Sequence, residues 1–122
     1  IVDTWEMFVE EFSQLWNTER TGMLYPKTMF EDQGHSSERA LQDLLNDIWR
    51  NSLGFCGIEM HRRCLSLAHN ADFETIEDLG RRASLEARNL MMGRDLVLHS
   101  DNISSTADLV KLAHKFNAEN FI

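Results

Sequence analysis

Trp5, Phe8, Val9, Phe12, Leu15 and Trp16 fall at offsets 0, 3, 4, 7, 10 and 11. That spacing keeps returning to one face of a helix and is incompatible with a strand, whose faces alternate with a period of two. No clear alternating apolar pattern occurs elsewhere, Pro26 is the single proline, and the glycines sit mostly at breaks. The chain therefore reads as all-α, with about five main helices and no sheet of its own. Asp3 ahead of the stripe, with Glu6 three residues on, reads as a capping-box-like pair. The face is unusually aromatic, and a stripe at helical spacing is core packing before it is a stacking platform for a cofactor.

Residues 17–35 break the period, with turn signals at Thr21-Gly22, Tyr25-Pro26 and Gly34-His35. Met23, Leu24, Tyr25, Met29 and Phe30 are embedded in this loop. A loop of that length is either functional or held down by another part of the protein, and the residues leave both open. Ser36 or Ser37 caps a second helix, with Ala40, Leu41, Leu44, Leu45, Ile48 and Trp49 as its apolar face, continuing through Leu53. Gly54 and Gly57 then mark a break or a close helix–helix approach. Ile58 to Ala68 resumes a helix, residues 69–72 turn, and Asp72 caps a short turn over 73–76. A helix over roughly 77–98 and a last one opened by Ser105 and Asp108 complete the chain. Leu41, Leu44, Leu45, Ile48, Phe55, Leu65 and Leu90 are the expected core.

At 122 residues the chain predicts one unit, 1–122, as a single helical segment. Twelve basic against twenty acidic residues give a net charge of −8, so no bulk field attracts nucleic acid or an anionic membrane. No apolar run approaches the ~20 residues of a membrane helix. The start, Ile1-Val2-Asp3-Thr4, has neither an initiator Met nor a charged segment ahead of an apolar one, so it is not a signal peptide and reads as a start inside a longer chain. Cys56 and Cys64 on one helix would lie roughly 12 Å apart, too far for a disulfide. Two buried free thiols suit a reducing compartment, most simply the cytoplasm.

Few residues point to chemistry. The histidines at 35, 61, 69, 99 and 114 form no metal-binding pattern, and no metal site is expected. Neither cysteine has an evident activating partner. Asp72-Phe73-Glu74 is similar to the magnesium-binding Asp-Phe-Gly of protein kinases, but the catalytic loop that should precede it is absent from the chain, so a capping Asp beside a buried Phe is the better reading. Arg62-Arg63 is the informative pair. Consecutive helix residues point about 100° apart, so two arginines do not usually share one partner from mid-helix. At a groove they can reach a phosphate or a polyol from two directions, and the planar guanidinium suits anionic oxygens. Arg81-Arg82, lying among Glu77, Asp78 and Glu86, reads as a solvated, salt-bridged face.

The ordered run Leu53-Gly54-Phe55-Cys56-Gly57, Glu59-Met60-His61-Arg62-Arg63, Leu67-Ala68-His69 and Ala71 to Ile76 resembles the C-terminal region of the S-methyl-5-thioribose kinase family. The resemblance continues through Glu77-Asp78, Glu86 and Gly93-Arg94 to residues 103–109, covering roughly 40–113. It implies the helical C-terminal portion of a protein-kinase-like C-lobe, as in aminoglycoside and choline kinases. It further implies transfer of the γ-phosphoryl group of ATP to the anomeric hydroxyl of 5-methylthioribose, a step of methionine salvage. By position the family's twin-arginine motif falls on Arg62 and Arg63, which become the substrate-binding residues. No catalytic residue is expected in this chain. It has no glycine-rich loop, no nucleotide-anchoring lysine on a strand and no catalytic loop, so ATP and magnesium would be bound mainly outside it, by the missing N-terminal part. His61, Cys64 and Asn70 depart from the family's usual residues.

The alternative is a non-enzymatic helical scaffold derived from such a lobe. The aromatic face of the first helix and the apolar loop would then bury against a partner, in a homodimer or a larger assembly.

Overall fold

The computed structural model describes residues 1–65 and 70–119. Among them it holds five α-helices and no strand: α1 (Val2–Glu19), α2 (Glu38–Leu65), α3 (Ala71–Glu74), α4 (Leu79–Leu98) and α5 (Thr106–Ala118). Single 3-10 turns occupy Lys27–Met29, Glu31–Gln33 and Ser100–Asn102. None of these helices is long and apolar enough to cross a membrane. The chain forms two compact units, Ile1–Ile48 and Trp49–Ile122.

In the first unit, Trp16, Leu41 and Leu45 are buried, with Val9, Phe12, Tyr25, Ala40 and Leu44 packed against them. The aromatic stripe of α1 is a ladder of ring contacts from Trp5 through Phe8 and Phe12 to Trp16, with centroids 5.5 to 6.3 Å apart. It is graded rather than uniformly covered: Trp16 is buried, while Phe8 and Leu15 are exposed. Asp3 is not the cap. Ile1 holds that position, and Asp3 lies in the first turn, where a negative charge suits the helix dipole.

The loop after α1 is held down. Tyr25 packs on Trp16 at 5.1 Å between centroids, and Arg20 lays its guanidinium 4.7 Å from the Trp16 ring. The Arg20 side chain is only 5% exposed and pairs with Glu31. Ser37 is buried and takes hydrogen bonds from Trp16 Nε1 at 3.0 Å and Arg20 NH1 at 2.6 Å, while its own hydroxyl donates to Glu31 Oε1 at 2.5 Å. That network decides the second cap. Ser37 Oγ is committed, so Ser36 Oγ accepts the Glu38 N–H, at 3.2 Å. Gly34 ends the second 3-10 turn at φ +76°, a conformation that costs glycine nothing.

The expected break in the second helix does not occur: α2 runs without interruption through Gly54 and Gly57. The other half of that expectation holds. Gly57 and Gly93 are a close approach in the second unit, where a Cβ on Gly57 would meet the Gly93 carbonyl oxygen at 2.4 Å. The buried positions of α2 are Leu41, Leu45, Trp49, Leu53 and Gly57, every fourth residue. Phe55 is two residues beyond Leu53, about 200° around the helix, and is 70% exposed rather than buried. Leu65 is also exposed, at 71%. Gly57, Met60 and Cys64 keep one face toward α4, and Leu65 follows Cys64 by about 100°. Leu44, Ile48 and Leu90 are half-buried.

The buried apolar residues of the second unit are Trp49, Leu53, Leu96, Ile103 and Phe116. Trp49 Nε1 donates to the Ile103 carbonyl at 2.6 Å, across 54 residues of sequence. Ser105 caps α5 as expected, accepting from the Asp108 N–H at 3.2 Å, and the Asp108 carboxylate accepts from the hydroxyls of Ser104 and Ser105. Those hydroxyls, Ser105 first, hold the Asp108 pKa below its ordinary value. The short helix α3 starts earlier than expected: Asn70, not Asp72, is its cap, with Oδ1 accepting from the Asp72 N–H at 3.1 Å.

Candidate functional site

Arg62 and Arg63 stand in the last turn of α2, about half exposed, with side chains 45% and 50% accessible. Helix geometry sends them about 100° apart. They nevertheless converge on one partner. Arg62 makes a fork to Glu59, Nε to Oε1 at 2.9 Å and NH2 to Oε2 at 2.7 Å. Arg63 Nε lies 3.8 Å from the same Oε2. Positions i+3 and i+4 straddle a residue one turn back, so a carboxylate at 59 collects what consecutive arginines would otherwise separate. In this last turn of α2 the pair shares a partner on its own helix, without needing a groove to bring the two together. The Arg62 hydrogen bond holds the Glu59 carboxyl below its ordinary pKa, and the same bond raises that of Arg62.

The second twin pair behaves differently. Arg82 Nε donates to Glu86 at 2.8 Å, and both side chains are 27% exposed, so that face is salt-bridged but less solvated than expected. Arg81 contributes its backbone N–H to the Asp78 cap of α4, at 3.0 Å.

His61, Cys64 and Asn70 are each engaged in hydrogen bonds. His61 Nδ1 lies 2.7 Å from the Gly57 carbonyl oxygen, so this nitrogen carries the proton and donates. Asn89 of α4 donates to the Met60 carbonyl at 2.9 Å and to Cys64 Sγ at 3.1 Å, tying α4 to the turn that carries the arginines. Asn70 is the α3 cap already described. Asn89 escaped the sequence reading because a lone polar residue in an amphipathic helix carries no signal of its partner.

Both cysteines are free, but Cys56 is exposed and Cys64 half-buried, so neither is the fully buried thiol expected. The helix around Cys56 desolvates the thiol and pushes its pKa up, away from a reactive thiolate. Among the described residues, no three His, Cys, Asp or Glu side chains are placed to hold a metal ion. Among the described residues, the second unit carries open grooves. One of about 370 Å³ runs past Arg50, Phe55, Ile58, Val97 and Asp101. One of about 500 Å³ lies between His99, Asn102, Lys111 and Lys115, and one of about 290 Å³ beside His61 and Arg94. Arg62 and Arg63 line none of these three.

Comparison with known proteins places this arrangement in context. The chain is 36% identical to a methylthioribose kinase from Geobacillus sp. over 109 residues, which are 89% of this chain and 25% of that one. Its relatives are methylthioribose kinases. An Escherichia coli methylthioribose kinase is 31% identical over 113 residues, covering 93% of this chain and 27% of its own. Methylthioribose kinase 1 of Oryza sativa is 30% identical over 124 residues, covering 98% and 28%. The chain thus spans about a quarter of the length of these methylthioribose kinases. No protein-family model matches it.

Proposed function

We propose that the chain is the helical C-terminal part of a larger kinase domain, a protein-kinase-like C-lobe that phosphorylates 5-methylthioribose at its anomeric hydroxyl. The observation that carries this reading is similarity to methylthioribose kinases of bacteria and rice over 89% to 98% of the chain's own length. In this reading the bond from the γ-phosphorus to ADP breaks and a bond to the anomeric oxygen forms. The hydroxyl proton passes to an aspartate outside this chain. ATP and magnesium would be held by the remainder of the enzyme, where the metal would supply charge to offset that of the phosphates.

Arg62 and Arg63 are the contribution of this segment. Phosphoryl transfer is chiefly positioning and charge stabilisation, and planar guanidiniums spread over equatorial oxygens supply the second. Their convergence at Glu59 supports a joint role over two separate surface charges. The sugar phosphate formed belongs to methionine salvage, and free thiols at 56 and 64 suit a cytoplasmic enzyme.

The test is direct. The full-length protein carrying this sequence is incubated with ATP, magnesium and 5-methylthioribose, and phosphorus NMR follows the product. A new anomeric phosphate supports the reading. ATP left intact with this sugar, under conditions where a known methylthioribose kinase turns over, refutes it.

A further inference from the structure

Glu59 is the one carboxylate that both twin arginines reach among the ion pairs described above. Each arginine has a long side chain with many rotamers, and consecutive helix positions send the two apart. Glu59 sits three residues before one and four before the other. Two hydrogen bonds fix Arg62 to it, and its charge draws Arg63 to the same oxygen. We infer that Glu59 is a positioning residue for the pair, holding both guanidiniums on one side of α2 where a single phosphoryl group can meet them. This rests on the reading of Arg62 and Arg63 as anion-binding residues.

The chemistry favours orientation over simple neutralisation. A guanidinium carries five N–H donors, and the Glu59 fork takes two from Arg62. Engagement with Glu59 and with a phosphoryl oxygen are therefore not mutually exclusive. Two guanidiniums against one carboxylate also leave this turn net positive. The Glu59 side chain is 50% exposed, and an ion pair so accessible adds little to the stability of the fold. Its effect belongs in turnover, not in melting.

The experiment compares Glu59→Gln, Glu59→Asp, Arg62→Lys and the double variant Glu59→Gln/Arg62→Lys in the full-length protein, alongside Arg62→Ala and Arg63→Ala. Misplacing a reacting contact by a fraction of its length costs up to about 10² in rate, and Glu59→Gln, which keeps one acceptor oxygen, should lower kcat about tenfold. Its melting temperature should match the parent, and Glu59→Asp, which keeps the charge, should recover part of the rate. Adding Glu59→Gln to Arg62→Lys should cost less than Glu59→Gln costs the parent, because part of the Glu59 effect acts through Arg62 and the rest through Arg63. If Glu59→Gln turns over like the parent while Arg62→Ala is slow, the inference on Glu59 is overturned and the arginine reading stands. A lowered KM with unchanged kcat would make Glu59 a competitor of the substrate and also overturn it. If both alanine variants match the parent, the arginine reading itself fails and takes the inference with it.

Discussion

Gly57 and Gly93 face each other at a distance that admits no side chain: a Cβ on Gly57 would lie 2.4 Å from the Gly93 carbonyl oxygen and 2.8 Å from Val97 Cγ2. Backbone cannot yield as a flexible side chain can, so Gly57→Ala must push α2 and α4 apart. Overpacking of this kind costs about 1–3 kcal/mol. Gly54 is the internal control, since a Cβ there meets nothing within 4 Å. Gly54→Ala should stabilise by about 0.5–1 kcal/mol, the difference in helix propensity. Urea denaturation of the two variants checks this. A Gly57→Ala protein as stable as Gly54→Ala would contradict the close approach.

Ser37 is the hub of the first unit, with Trp16 and Arg20 as donors and Glu31 as acceptor. Ser37→Ala strands buried donors, and an unsatisfied buried polar group costs about 1–3 kcal/mol. The expected result is a lower denaturation midpoint with an unchanged slope. An unchanged midpoint would show that the network carries no stability.

Glu31 adds a pH dependence. The Ser37 hydroxyl, ahead of Arg20, holds its carboxyl below the ordinary carboxylate pKa. A depressed folded pKa contributes stability above the unfolded value and loses it as pH falls through the folded one. Parent and Glu31→Gln should therefore differ most near neutral pH and converge as the solution is acidified below the ordinary carboxylate range. Denaturation curves across that range measure the difference, and a gap independent of pH would contradict it.

Much of this fold was legible because helical periodicity is local. The stripe of α1, the Ser105 cap and the absence of strands among the described residues all follow from near neighbours. What was illegible depended on partners distant in sequence. Gly54 and Gly57 read as a break or a close helix–helix approach, and only the distant partner Gly93 decides for the second at Gly57. Phe55 and Leu65 read as core because they are apolar, but burial in α2 follows every fourth residue as far as Gly57, which leaves Phe55 on the far side, and beyond it the packed face passes to Met60 and Cys64, which leaves Leu65 out. The role of the loop 17–35 is not legible in the sequence, because spacing alone does not show that Tyr25 packs on Trp16 or that Arg20 is buried against Glu31. In the candidate site the spacing of Glu59, three and four residues before the arginine pair, is plain in the sequence, but that it pairs with both takes the structure to show.

Trp49 joins α2 to the segment before α5 by a hydrogen bond to the Ile103 carbonyl, both residues buried. Trp49→Phe keeps an aromatic ring and removes the donor, leaving a buried carbonyl unpaired. A loss of about 1–3 kcal/mol is expected. Equilibrium denaturation followed by circular dichroism reads it, and a variant as stable as the parent would show that the bond contributes nothing.

The two arginine pairs test the central claim most directly. Four single variants of the full-length protein, Arg62→Ala, Arg63→Ala, Arg81→Ala and Arg82→Ala, are compared in steady-state phosphorylation of 5-methylthioribose. Removing one preorganised charge contact to the transition state typically lowers the rate on the order of 10²–10³-fold, with kcat and kcat/KM falling together. Arg62→Ala and Arg63→Ala should show that loss. Arg81→Ala and Arg82→Ala should turn over like the parent, because the proposed phosphoryl contacts belong to residues 62 and 63, while Arg82 pairs within its own helix with Glu86. Parent-like turnover in both Arg62→Ala and Arg63→Ala, or sensitivity confined to residues 81 and 82, would contradict the account.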